Sequence, residues 1–129
     1  MIYERRAVAR RRFEMLVRRA LRHIPAELAA RLENVDIVVR ARPTEAQLRA
    51  ARVPPGHTLL GLYVGTDLTR RGGDYNFALP DRIFIFQQPL EAIARDEDDL
   101  VRRVRHTVLH EVAHHFGISD ARLHEIDRY

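Results

Sequence analysis

The chain contains no cysteine, and this absence excludes two kinds of site. Disulfide bonds cannot form, and any bound metal must take its ligands from side chains other than thiolates. The N-terminal stretch also lacks a long apolar run, because its charges interrupt any segment of signal-peptide or membrane-spanning length. We therefore expect a soluble, cytoplasmic protein that has no membrane partner.

Lysine is missing as well, so arginine supplies all 22 basic charges, and the net charge is +4. Eight of these arginines lie in the first 22 residues: Arg5, Arg6, Arg10, Arg11, Arg12, Arg18, Arg19 and Arg22. A solvated helix face is the simpler interpretation, and weak, salt-dependent binding of nucleic-acid phosphates is the alternative. The length of 129 residues predicts a single domain, residues 1–129, and the sequence indicates no oligomeric state.

The most specific pattern in the sequence is His110-Glu111-x-x-His114, near the C-terminus. Residues four apart lie on the same face of a helix, so the two histidines can offer ring nitrogens to a single Zn²⁺. Glu111 lies about 100° further round the helix, near the metal without binding it. That position suits a general base that acts on a metal-bound water.

A catalytic zinc takes three protein ligands and leaves one position for water. Asp120 is the leading candidate for the third ligand, because Gly117 can end the helix and turn the chain back. His124 and Glu125 lie further along the chain and are the alternatives. Asp120 has a competing role, since it or the serine before it would cap a last helix over residues 120–128.

The string HEVAHHFGISDARLHEI, with LLGLYVG and LPDRIFIFQQPLE upstream, resembles the zincin-like metallopeptidase family of small bacterial proteins. The resemblance runs from about residue 58 to the C-terminus. It implies a compact zincin-type α+β fold, a Zn²⁺ cofactor, peptidase activity and a peptide or protein substrate, and its motif spacing favours Asp120 as third ligand. The motif is more distantly similar to that of metzincins, but their Met-turn is missing, because Met1 and Met15 both lie upstream.

The apolar pattern predicts an α+β domain in which helices pack on a small mixed sheet of three or four strands. Strands are predicted at residues 36–41, 58–64 and 82–87, and the helix that carries the motif at about 97–116. By the family resemblance, strand 82–87 receives an extended substrate at its edge; the alternative is an ordinary core strand. Stretch 65–80 is predicted to be a loop that forms a rim or lid over the cleft.

The leading hypothesis is metal-assisted peptide hydrolysis, in which Glu111 takes a proton from the attacking water and passes it to the leaving amine. Four side chains could supply the further donor that the oxyanion needs: Tyr63, Tyr75, His124 and Tyr129. His106 is predicted to be either a plain surface side chain or a residue that lines the cleft or orients a ligand. His115 lies near the apolar arc of the helix and is predicted to be a hydrogen-bonded core residue.

Two other functions fit parts of the sequence. One is a metal-dependent RNA-processing protein, similar to a bacterial family of rRNA-maturation metalloproteins with a three-histidine site. Those proteins lack the glutamate after the first histidine, which weighs against this alternative. The other is a non-catalytic module in which zinc holds the C-terminal helices together, through a closed site of four ligands: His110, His114, Asp120 and His124.

Overall fold

The computed structural model describes residues 9–65 and 79–127, and this part of the chain has α-helices packed on a three-stranded sheet. In chain order the elements are α1 (Arg10–Leu21), α2 (Ala26–Ala29) with a 3-10 turn after it (Ala30–Leu32), β1 (Val35–Arg40), α3 (Glu45–Ala50), β2 (Gly61–Val64), β3 (Asp81–Phe86), α4 (Gln87–Ile93), α5 (Glu97–His115) and α6 (Asp120–Ile126). The predicted α+β class is confirmed, and the motif helix has the predicted extent. None of the described helices combines the length and the apolar character needed to cross a membrane.

The sheet is mixed and has the strand order β1-β3-β2. β3 lies in the centre, parallel to β1 and antiparallel to β2. The prediction that strand 82–87 offers an edge to substrate is therefore wrong, because both sides of this strand are already hydrogen-bonded to neighbours. The alternative prediction, a core strand, is confirmed, and β2 lies at one edge of the sheet that the described residues form.

The core lies between one face of the sheet and the helices α1 and α5. Ile83 and Ile85 of β3 are fully buried on this face, as the two-residue period of a strand requires. The buried apolar residues of α5 recur every three or four positions: Leu100, Val101, Val104, Val108, Leu109 and Val112. The stripe of α5 that carries His106, His110 and His114 is consequently left outside the core.

The N-terminal end of α5 is fixed by two aspartates. The Asp96 side chain caps the helix by accepting the N–H of Asp99 at 2.8 Å. The buried carboxylate of Asp99 accepts hydrogen bonds from Arg103 at 2.9 Å, the Arg95 N–H at 3.0 Å and Arg102 at 3.0 Å. These bonds, that of Arg103 foremost, hold the pKa of Asp99 well below its usual range. The N-terminal end of the helix that carries the motif is therefore held in place by hydrogen bonds.

β2 lies very close to α5, and two glycines make this approach possible. A Cβ on Gly61 would lie 2.6 Å from Thr107 Cγ2, closer than two carbon atoms can come. A Cβ on Gly65 would lie 3.2 Å from His115 Cε1. β2 therefore runs alongside α5 from Thr107 to His115, with Tyr63 midway between the two glycines.

Candidate metal centre and active site

The end of α5 turns the chain back toward the two histidines of the motif. Gly117 has φ +70°, the left-handed conformation that glycine adopts without a steric penalty. Its N–H donates to His114 O at 3.4 Å, and the N–H of Ile118 donates to Ala113 O at 2.8 Å. These two bonds form a Schellman motif, which ends the helix sharply and allows a new helix to begin at Asp120, three residues after Gly117.

α6 begins at Asp120 and is capped by Ser119, whose hydroxyl accepts the N–H of Arg122 at 3.0 Å. Ser119 therefore takes the capping role that competed with the predicted ligand role of Asp120. α6 is held against the rest of the protein by buried Leu123 and by the ion pair between Arg122 and Glu27, at 2.8 Å. Ser119 and Leu123 thus anchor the first turn of α6, which carries Asp120.

His110, His114 and Asp120 come together at this corner. Each offers one ligand atom, and these atoms lie within 4.8 Å of one another. Three donors of one tetrahedral zinc lie roughly 3.3–3.5 Å apart, given bonds of about 2.0–2.1 Å. Small side-chain rotations can close this difference, because His114 and Asp120 are exposed and His110 is half-buried. Two imidazoles and one carboxylate therefore fit a zinc ion.

The two alternative third ligands lie outside this donor group in the part of the chain that the structure describes. Glu125 accepts a hydrogen bond from Arg122 at 3.1 Å, so its carboxylate is turned toward the outer face of α6. His124 is exposed. Asp120 is accordingly better placed than either residue to meet His110 and His114.

A third histidine ring extends the row on α5. The rings of His106 and His110 have centroids 4.3 Å apart, and those of His110 and His114 are 5.8 Å apart and nearly perpendicular. Desolvation of the ring, followed by the neighbouring His110, lowers the pKa of His106. His106 is exposed, as predicted for a surface side chain, and its ring also lies against that of the candidate ligand His110.

Glu111, the predicted base, faces β2. Its Oε1 accepts a hydrogen bond of 2.8 Å from the backbone N–H of Tyr63. The carboxylate is half-buried between the helix and the strand, on the same helix as His110 and His114. The sequence did not reveal this contact, although Gly61 and Gly65 around Tyr63 were an available sign of close backbone approach.

The Tyr63 side chain is engaged at both its hydroxyl and its ring. The hydroxyl donates to Asp81 Oδ2 at 2.7 Å, and the ring stacks on His115 with centroids 3.9 Å apart. Desolvation and the Asp81 carboxylate raise the pKa of Tyr63. The hydroxyl is therefore committed to Asp81, which argues against Tyr63 as the oxyanion donor. The predicted donors Tyr75 and Tyr129 lie outside the described residues.

His115 is not the core histidine that was predicted. Its side chain is 38% exposed, and its Nε2 lies 3.8 Å from Asp81 Oδ2. Position 115 lies on the side of α5 that faces β2, beside Gly65 and against the Tyr63 ring, and outside the apolar arc that buries Val112. Phe116 follows it at the surface, and its ring lies 4.7 Å from the guanidinium carbon of Arg31.

The predicted lid over residues 65–80 is for the most part outside the described residues. Only Gly65 and residues 79–80 belong to the described part of the chain. Gly65 lies beside His115, so the segment leaves β2 next to the C-terminal end of α5. The lid stays a prediction, and its starting point is close to the candidate site.

Comparison with known proteins identifies the family of this chain. A sequence model of a zincin-like metallopeptidase family matches residues 32–129, well over half of the chain. No curated protein matches. Among solved structures, the chain is similar to a conserved hypothetical protein from Thermus thermophilus, with 22% identity and a TM-score of 0.53. The alignment covers 83% of this chain and 92% of that chain, and at this identity it shows a shared fold. With His110, His114 and Asp120 gathered at one corner, the family match leads to one conclusion: the chain belongs to the zincin-like metallopeptidase family.

Proposed function

We propose that this protein is a zinc-dependent peptidase that hydrolyses peptide bonds with Glu111 as its general base. The observation that carries the proposal is the convergence of His110, His114 and Asp120 within 4.8 Å, on elements adjacent to Glu111. Among the described residues this donor group has three members, the number that catalytic zinc sites use. A closed structural site would need a fourth, so the non-catalytic module is the weaker candidate.

The chain's own residues divide the chemistry between them. His110, His114 and Asp120 would hold the zinc. When bound, zinc supplies Lewis acidity, which polarises the scissile carbonyl and lowers the pKa of a coordinated water. Glu111 accepts a proton from the attacking water and returns it to the leaving nitrogen, as general base and then general acid. Glu111 directly follows His110 on α5, so its side chain can reach the space beside the candidate ligands.

The outer edge of β2 is a binding site for an extended peptide in this proposal. Phe86 N donates to Leu60 O at 3.0 Å, so in the antiparallel ladder residues 60, 62 and 64 bond to β3. The backbone groups of Gly61 and Tyr63 therefore face away from β3, toward the side on which Glu111 lies. An added peptide strand would take its main-chain hydrogen bonds there. This edge takes over the role that was predicted for strand 82–87.

Nucleic-acid processing receives less support. Three of the described arginines of α1 are used within the protein. Arg10 donates to Gln87 Oε1 at 3.0 Å, and two ion pairs join Arg12 to Glu97 at 2.5 Å and Arg19 to Asp98 at 3.2 Å. These pairs join α1 to the start of α5, and they reduce the charge available to phosphates. Arg12 and Arg19 therefore have a structural explanation that requires no nucleic acid.

Two measurements test the peptidase proposal. Elemental analysis of protein purified without chelator should give about one zinc per chain, and Asp120→Ala should lose it while the matched control His124→Ala retains it. Glu111→Gln should keep zinc and reduce the hydrolysis of an unfolded protein such as casein by about 10²–10⁴-fold. Zinc loss in His124→Ala but not in Asp120→Ala would overturn the ligand set. Full hydrolysis by Glu111→Gln would overturn the role of the base.

A further inference from the structure

The hydrogen bond between Glu111 and Tyr63 occupies a donor that a bound peptide would need. Tyr63 N–H is one of the outward-facing backbone groups of β2, and it donates to Glu111 Oε1 at 2.8 Å. A carboxylate is a stronger acceptor than a peptide carbonyl. A peptide strand cannot complete its pairing at this position while the carboxylate stays where it is.

Tyr63 is held too firmly to move out of the way. Its hydroxyl is bonded to Asp81, its ring stacks on His115, and its two neighbours in β2 are paired with β3. The close contact of Gly61 with α5 fixes the strand on the other side. Glu111, by contrast, reaches Tyr63 through a side chain with three rotatable bonds, so the carboxylate is the partner that can leave.

We propose that Glu111 acts as an internal occupant of the β2 edge, and that an incoming peptide carbonyl displaces it from the Tyr63 N–H. The exchange is one of acceptors: the N–H changes partner, and no covalent bond forms or breaks. The displaced carboxylate then becomes free to take the proton of the attacking water. Substrate binding thus releases the base at the moment when the base is needed. This inference rests on the proposed peptidase function and adds a mode of regulation to the same site.

The test compares Glu111→Ala with Glu111→Gln, which lose the same charge and the same catalytic carboxylate. Gln keeps an oxygen that can accept from Tyr63 N–H, whereas Ala keeps none. Both variants, with one equivalent of zinc, are titrated into fluorescein-labelled oxidised insulin B chain, an unstructured peptide, and binding is followed by fluorescence anisotropy. The Ala variant should bind the probe roughly fivefold more tightly, the factor expected for removing one competing neutral hydrogen bond.

Amide hydrogen exchange at Tyr63, measured by NMR, gives a second readout. The Tyr63 amide should be protected in free Glu111→Gln, unprotected in free Glu111→Ala, and protected again when the Ala variant binds the probe. The Leu62 amide belongs to the β2–β3 ladder and should stay protected throughout, which verifies that the strand is folded. Equal affinity of the two variants, or a Tyr63 amide that the probe leaves unprotected, would overturn the displacement alone. A failure of both variants to bind the probe would overturn the peptide-binding site at the β2 edge and the peptidase proposal together.

Discussion

Replacing Gly61 by alanine tests whether the contact between β2 and α5 sets the geometry of the site. The new Cβ would lie 2.6 Å from Thr107 Cγ2 and 3.0 Å from the carbonyl oxygen of Phe84. The first contact involves a side chain and the second a backbone atom, so the strand itself must shift. Overpacking of this kind destabilises a core by about 1–3 kcal/mol. Because Tyr63 lies two residues further along the strand, the shift should also lengthen its bond to Glu111.

A double-mutant cycle separates the steric effect from a general loss of stability. Thr107→Ser removes Cγ2 and keeps the hydroxyl that donates to Arg103 O at 2.7 Å, so alone it should destabilise by about 1 kcal/mol. In the double variant the Cβ of position 61 gains the space that Cγ2 leaves. The combined loss should therefore be smaller than the sum of the single losses by about 1 kcal/mol or more. Urea titrations give the free energy of unfolding of the wild type and the three variants. If the loss in the double variant equals the sum of the two single losses within about 0.5 kcal/mol, the proposed close contact is refuted.

Three further predictions concern single side chains. Gly117→Ala should destabilise by about 1–2 kcal/mol and weaken zinc binding, while Gly56→Ala, also at positive φ and in open space, should lose similar stability without changing zinc affinity. Urea unfolding and zinc titration together check this pair, and equal effects on zinc would count against a special role for the turn. Asp99→Asn should lose about 1–3 kcal/mol at neutral pH. Because folding lowers the pKa of Asp99, the wild type should exceed Asp99→Asn in free energy of unfolding by the whole of this amount above about pH 4, and by less as the pH falls below that value. A stability difference that does not shrink in acid would contradict the lowered pKa of Asp99. Tyr63→Phe should lower the free energy of unfolding by about 1 kcal/mol. Because folding raises the pKa of Tyr63, this loss should be complete below about pH 10 and should decline at higher pH, which urea unfolding at alkaline pH can measure.

The features that the sequence predicted well are local ones. The α5 helix has a long apolar period and an acidic start, and the motif at its C-terminal end needs only the geometry of a helix to gather two histidines. The turn at Gly117 likewise follows from a single glycine in the right place. The four residues Thr44-Glu-Ala-Gln47 have a spacing that is typical of a capping box, and α3 has one, with the Gln47 N–H donating to Thr44 Oγ1 at 3.0 Å.

The features that were missed depend on contacts between distant parts of the chain. Strand order is set by which strands meet in space, and nothing within residues 82–87 distinguishes a central strand from an edge strand that is buried on both faces. The partial exposure of His115 depends on how β2 lies along the last turn of α5, which the helical period of the sequence does not determine. The contact between Tyr63 and Glu111 joins residues 48 positions apart. The single-domain assignment, the cytoplasmic location and the lid stay predictions.

The compactness of the candidate ligand set along the chain has a consequence for folding. All three ligands lie within residues 110–120, joined by the turn at Gly117. The entropy of closing so short a loop is small, so an unfolded chain can bring the same donors to an ion with little further loss. An ion that binds both the folded and the unfolded chain stabilises the fold only by the difference between its two affinities. In this protein a bound metal would therefore contribute to catalysis more than to the stability of the fold. The free energy of folding would come mainly from the packing of α1 and α5 on the sheet.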